Sequence, residues 1–81
     1  MTVQVQFFSY FKQLATEDPL TLVLPQHATV EDLLTCLRTR YPKLATLNRS
    51  TLVAVGVEYA APNQVLHEAD VVSLFPPVQG G

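Results

Sequence analysis

The sequence predicts an α+β domain in which a mixed sheet carries one main helix on one of its faces. Three observations predict it. The front of the chain alternates apolar and polar residues, its middle holds one strongly amphipathic helix, and an apolar, β-branched segment near its end stops at a Pro-Pro pair. Eighty-one residues make one small domain and exclude a multidomain enzyme.

Val3, Val5 and Phe7 alternate with Gln4, Gln6 and Phe8, so the opening segment reads as a half-buried strand with its valines inward and Phe8 on the outer face. Phe11 and Leu14, followed by Ala15 and the turn-forming Glu17-Asp18-Pro19, predict one short helical turn leading into a second strand over 20–24. With so short a link, the two strands are expected to form an antiparallel pair. Thr29 then stands three residues before Asp32, the spacing of an N-cap and its reciprocal partner. Val30, Leu33, Leu34, Leu37 and Tyr41 form the apolar stripe of a helix behind that cap. Pro42 disfavours helical dihedrals in the residue before it and ends the helix near Tyr41. Arg38, Arg40 and Lys43 crowd that end, where cations complement the carbonyl end of the helix dipole, and they read as capping and solvating charges.

Residues 42–50 read as a connector with a turn of helix, and 51–55 as a central strand. Gly56 marks a bulge or turn, Glu58-Tyr59 a short strand, and 60–64 a loop. Val71–Phe75 is the last strand, stopped by Pro76 and Pro77. This order of elements is that of a β-grasp domain, expected over 1–75, with an extended tail over 76–81. A sheet with one helix has one open face, and strand parity assigns its side chains. If Val72 and Leu74 face the helix, then Val71, Ser73 and Phe75 face outward with Phe8. Phe8 and Phe75 are therefore expected to meet in an exposed apolar patch, with Tyr59 as a neighbour. Such patches mark interaction sites.

Composition narrows the function. Charged residues make up 15% of the chain, below the roughly 25% of an average soluble domain, which leaves uncharged surface for a partner. A formal charge of −2 without a basic run offers nothing to a phosphate backbone, so nucleic acid is not an expected ligand. Cys36 stands alone, which excludes an internal disulfide and points to a reducing, cytoplasmic setting. The front end lacks the basic start and apolar run of a signal peptide, and the longest apolar stretch, 52–57, is far short of the ~18 residues that span a bilayer. No membrane role is expected.

The catalytic inventory is nearly empty. His27 and His67 have no second histidine at metal spacing and read as surface residues, and no metal site is expected. Cys36, on the flank of the helix with no local base, is expected to pack rather than to act as a nucleophile. Glu68 and Asp70 read as a solvated turn, and the chain has no phosphate-binding loop. The C-terminus is different. Pro76 and Pro77 restrict φ and favour an extended exit, and Gly80 and Gly81 present a carboxylate with no Cβ to obstruct it. Such a tail suits a narrow tunnel in another protein, although a flexible solubilising end has the same composition.

A β-grasp pattern ending in Phe75-Pro76-Pro77-Val78-Gln79-Gly80-Gly81 closely resembles the small sulfur-carrier subunits of molybdopterin synthase, and the resemblance covers essentially the whole chain. Phe7-Phe8 before a short helix and the helix start Thr29-Val30-Glu31-Asp32-Leu33 are also similar. Lys12-Gln13 stands where the family tends to have Arg-Glu, Gly56-Val57 where it often has Asn-Gln, and Ala69 where Gly commonly precedes the Asp. The resemblance implies that Gly81 is the reacting residue. An E1-like adenylating enzyme would activate its carboxylate with ATP, and a sulfur donor protein would convert it to a thiocarboxylate. The large catalytic subunit of the synthase would then receive the tail, Pro76, Pro77, Val78, Gln79 and Gly80, and pass the sulfur to a pterin. Lys12, Phe8, Tyr59 and Phe75 would bind the partner, in a complex of two carriers on a dimeric large subunit. The chain itself would bind no cofactor, since ATP belongs to the activating enzyme. Two rival readings share the fold: a sulfur carrier for the thiazole of thiamine, and a β-grasp interaction module or modifier without sulfur chemistry.

Overall fold

A computed structural model of the chain describes residues 1–9, 11–44 and 51–76. Strand β1 (Thr2–Phe7) leads through the short helix α1 (Phe11–Leu14) to β2 (Leu20–Val23). The main helix α2 (Val30–Arg40) follows, then β3 (Leu52–Val55), β4 (Glu58–Tyr59) and β5 (Val71–Phe75). The five strands form one sheet in the order β2-β1-β5-β3-β4. β1 pairs antiparallel with β2 and parallel with β5, and β5 pairs antiparallel with β3. This is the β-grasp arrangement that the element order predicted. The central position falls to β5 rather than to the 51–55 segment, because parallel pairing of the first and last strands places β5 between β1 and β3.

The inner face of the sheet follows the period of two. Val3, Val5 and Phe7 of β1, Leu20 of β2, and Val72 and Leu74 of β5 are fully buried beneath Val30, Leu33 and Leu37 of α2. Burying a side chain of this size contributes about 1.5–3 kcal/mol relative to exposing it. The Phe7 ring meets Tyr41 edge-on at 6.0 Å, and the Tyr41 hydroxyl lies 3.3 Å from Thr16 Oγ1, so the end of α2 is held against the ends of β1 and α1.

α2 begins where its capping residues require. Asp32 N–H donates to Thr29 Oγ1 at 3.2 Å, and Thr29 N–H donates to Asp32 Oδ2 at 2.9 Å, which satisfies two amides that the helix itself cannot. At its other end Tyr41 leaves helical dihedrals ahead of Pro42.

The turn before β5 is built by the two carboxylates that the sequence assigned to it. Glu68 Oε1 accepts the Thr2 N–H at 2.8 Å, and Asp70 Oδ2 accepts the His67 N–H at 2.8 Å. Between them Ala69 has φ of 70°, at the position where the resembling family commonly has Gly. That conformation costs an L-residue about 1–2 kcal/mol, whereas glycine adopts it freely but loses about 0.5–1 kcal/mol more chain entropy on folding. Ala69→Gly is therefore expected to stabilise the domain by about 0.5–1 kcal/mol, read as a higher urea midpoint at unchanged slope. An equal or lower midpoint would mean that the turn accommodates alanine without strain.

Candidate functional site

The chain reaches its C-terminal segment from the middle of the sheet. β5 has ladder partners on both sides, and the Phe8 N–H donates to the Leu74 carbonyl at 3.1 Å, carrying the β1–β5 pairing one residue past the end of β1. Pro76, half-buried, is the last described residue. Pro77, Val78, Gln79, Gly80 and Gly81 lie outside the described residues.

Around this root the open face of the sheet is apolar. Phe8 and Phe75 stack with centroids 4.7 Å apart and an interplanar angle of 17°, as strand parity predicts. Leu52 is opposite Phe75 on β3 and 39% exposed, so it extends the pair into a third strand. Beside this row runs a second, in which Gln6 lies opposite Ser73, Ser73 opposite Ala54 and Ala54 opposite Tyr59. Ser73 and Ala54 are buried at 7% and 8% although they face outward, because short side chains on interior strands sit below the level of their neighbours. They floor an open groove whose walls are Phe75 on one side and Tyr59, Gly56 and Val57 on the other. Tyr59 therefore shares the groove with Phe75, and its side chain is 74% exposed.

The outward positions of the described strands are Thr2, Gln4, Gln6, Thr21, Val23, Leu52, Ala54, Tyr59, Val71, Ser73 and Phe75, and none is charged. The low charge content of the chain is thus concentrated as an uncharged face, which a partner can cover without stripping water from an ion. Leu52 was missed by the sequence reading. Its signal was the alternation within 51–55: Val53 faces the helix, so its neighbours face away.

The other candidates lie elsewhere. Lys12 is on α1, 62% exposed, with its Nζ 4.0 Å from Asp18 Oδ2. Cys36 is exposed on α2, which corrects the expectation that it packs. The sheet covers only one side of α2, and the flank at Cys36 turns to solvent while Leu33 and Leu37 beside it are buried. His27 is exposed, and the His67 ring is 79% exposed with its Nδ1 3.9 Å from Asp70. Among the described residues no three His, Cys, Asp or Glu gather as metal ligands. Burial pushes the Tyr41 phenol up, but hydrogen bonds with Thr16 and Arg40 outweigh it and hold the group below its ordinary value, in a packing role at the end of α2. Among the described residues, then, the open face is an uncharged, largely apolar surface at the root of the C-terminal segment.

Known proteins resemble the chain along its whole length. The molybdopterin synthase sulfur carrier subunit of Chlamydomonas reinhardtii is 29% identical, with all of both chains covered. A solved structure from Pyrococcus furiosus, described as subunit 1 of a molybdopterin converting factor, is 32% identical and superposes with a TM-score of 0.86, covering 95% of this chain and 98% of that one. A chain in the Helicobacter pylori complex of subunits 1 and 2 of molybdopterin-converting factor shares the fold over the full length of both chains, with a TM-score of 0.71 at 24% identity. The ThiS family model matches residues 5–81, from within the first strand to the terminal glycine, and the chain belongs to the ThiS family.

Proposed function

We propose that this chain is the sulfur-carrier subunit of a molybdopterin synthase and that the Gly81 carboxyl is its reacting group. The observation that carries this reading is the central position of β5. A strand held on both sides delivers the C-terminal segment from a rigid root, and the uncharged groove beside that root gives a partner a surface on which to seat it. Full-length similarity to carriers of this name supports the same reading.

The chemistry follows from the carboxylate. A terminal carboxyl with a pKa near ~3.5 is ionised at neutral pH and is a poor electrophile. Attack of its oxygen on the α-phosphorus of ATP, on an E1-like enzyme, gives an acyl-adenylate and releases pyrophosphate. The terminal sulfur of a donor protein's persulfide then displaces AMP to form an acyl disulfide, and a thiol cleaves its S–S bond, leaving a disulfide on the donor and releasing the thiocarboxylate. In the synthase that sulfur passes to the pterin, the acyl carbon–sulfur bond breaks, and water restores the carboxylate. The carrier contributes position and docking, and its partners contribute the catalytic groups. The pairing of subunits 1 and 2 in the H. pylori complex supports a large subunit as the partner that receives the tail.

Intact-mass measurement of the chain, incubated with the adenylating enzyme, ATP and a sulfur donor, tests this directly. Exchange of one oxygen for sulfur at Gly81, followed by formation of the dithiolene pterin on the large subunit, is the expected result. A ladder of lysine conjugates without thiocarboxylate would favour a modifier. Deleting Gly81 shortens an extended chain by about 3.3 Å, and a misplacement of even ~1 Å can cost roughly 10²-fold in rate, so transfer should fall below detection while the melting temperature holds. Normal sulfur loading of the deleted form would remove the carrier reading.

Phe75→Arg should leave the fold intact, since the side chain stands on the open face, and should weaken large-subunit binding by about 2–5 kcal/mol in titration calorimetry. Wild-type affinity would show that the partner uses another surface. Cys36→Ala should leave transfer within a few-fold and, because the thiol is exposed, change stability by no more than about 0.5 kcal/mol. Loss of transfer in this folded variant would move the sulfur chemistry to the thiol.

A further inference from the structure

β5 loses its two neighbours at different points, and the difference falls at the root of the C-terminal segment. On the β3 side the pairing runs to Phe75, which lies opposite Leu52. The Gly56 N–H donates to the Val71 carbonyl at 2.9 Å, and the alternation of an antiparallel ladder from that bond makes Leu52 and Phe75 a hydrogen-bonded pair. Among the described residues the last bond on the β1 side runs from the Phe8 N–H to the Leu74 carbonyl, at 3.1 Å. The next rung of a parallel ladder would take an N–H from residue 76 to the Phe8 carbonyl. Residue 76 is proline and has none. The Phe8 carbonyl accepts the Phe11 N–H instead, at 3.2 Å.

Past that point the contact between β5 and the β1 side passes from backbone to rings, through the stack of Phe8 on Phe75 at 4.7 Å and 17°. The Phe8 ring is a fixed platform. Its backbone is bonded at both the N–H and the carbonyl, and the chain turns directly behind it, where Ser9 takes φ of 58° and its carbonyl accepts the Lys12 N–H at 3.1 Å. Phe75 needs such a platform. It ends β5 opposite the first residue of β3, and the end rung of a ladder opens more readily than those inside it. An aromatic pair shifts such an equilibrium by a factor of about 2–10.

We infer that Phe8 is a positioning residue for sulfur transfer: its ring clamps Phe75, keeps the end rung of β5 closed, and so fixes the point and direction from which the tail departs. The inference rests on the carrier reading and deepens it. Five residues follow Pro76, so a swing at the root reaches the Gly81 carboxyl through about 16 Å of extended chain. A misplacement of ~1 Å at the reacting group can cost roughly 10²-fold in rate. Pro76 restricts the dihedrals at the root but cannot close the rung before it. Phe8 thus acts through Phe75, apart from any area it covers in an interface. Covered area sets how tightly the carrier binds, whereas the aim of the tail sets how fast sulfur moves once the complex has formed.

Two measurements separate these roles. In the free full-length carrier, amide hydrogen exchange reads the end rung without any partner. Phe8→Leu keeps an apolar side chain but removes the ring, and should speed exchange of the Phe75 N–H about 2–10-fold relative to that of Val72 in the same protein. Phe8→Tyr, which keeps the ring, should exchange as the wild type does. Phe75→Leu should speed exchange at residue 75 by a similar factor, and adding Phe8→Leu to it should change nothing further, the signature of one shared contact. In the second measurement the thiocarboxylated carrier meets an excess of large subunit sufficient to bind all of it. Phe8→Leu should lower the single-turnover rate of sulfur transfer at least about tenfold, and Phe8→Tyr should restore it. Melting temperatures establish that the variants are folded, and Phe75→Leu carries both measurements if Phe8→Leu is not. Unchanged Phe75 exchange in Phe8→Leu, or weaker binding with a wild-type transfer rate at saturation, would overturn the positioning role and leave the carrier reading intact. Failure of the wild type to gain or deliver sulfur would overturn both.

Discussion

Parallel pairing of β1 with β5 joins the two ends of the chain in the middle of the sheet, with Gln4 opposite Val71 and Phe7 opposite Leu74, and the remaining architecture depends on it. Closing a loop of this length costs about 4 kcal/mol of chain entropy beyond a constant. Val3, Val5, Phe7, Val72 and Leu74, all fully buried along the pair, each contribute about 1.5–3 kcal/mol and outweigh that cost together. Once the pair forms, the C-terminal segment must leave beside the end of β1, where α1 and the last turn of α2 also gather. The root of the segment and the aromatic stack are thus consequences of one strand register.

The two faces of the sheet solve different problems. The inner face carries the stability, through a dense layer of valines, leucines and Phe7 under α2. The outer face adds less, since Phe8 and Leu52 remain more than a third exposed and Tyr59 far more so. Its composition makes sense as a surface waiting to be covered. Glutamines and threonines keep it wetted, and the Gln4 amide donates to Thr21 Oγ1 at 3.0 Å, yet no charge opposes desolvation. Keeping the charges off this face places them at the ends of the strands and on α2, where they cap and pair, as Arg38 does with Glu31 and Arg40 with Glu17.

Much of this was legible in the sequence because local physics wrote it there. Period-two alternation marked β1, and a Thr and an Asp three apart marked the start of α2. Pro42 marked its end, and Pro76 the end of β5. Parity within single strands was enough to place Phe8 and Phe75 on one face. The Phe-Pro-Pro and Gly-Gly elements of the C-terminus carried the resemblance to sulfur carriers, since those residue types restrict or free a backbone wherever they stand.

The rest required strands and helices to find their neighbours. An apolar β-branched segment reads the same whether it becomes the central strand or the one beside it, so only the β1–β5 register gave β5 the centre. Leu52 joined the aromatic pair through its alignment opposite Phe75, and Ser73 became buried because its own short side chain sits below the level of its neighbours on interior strands. Cys36 turned to solvent because one sheet cannot cover every flank of a helix. Lys12 and Lys43, far apart in the chain, arrived at one end of the fold. Periodicity determined what each segment is and which side of it is apolar. Long-range pairing decided what those sides face, because the free energy of register lies in contacts between residues that the sequence holds far apart.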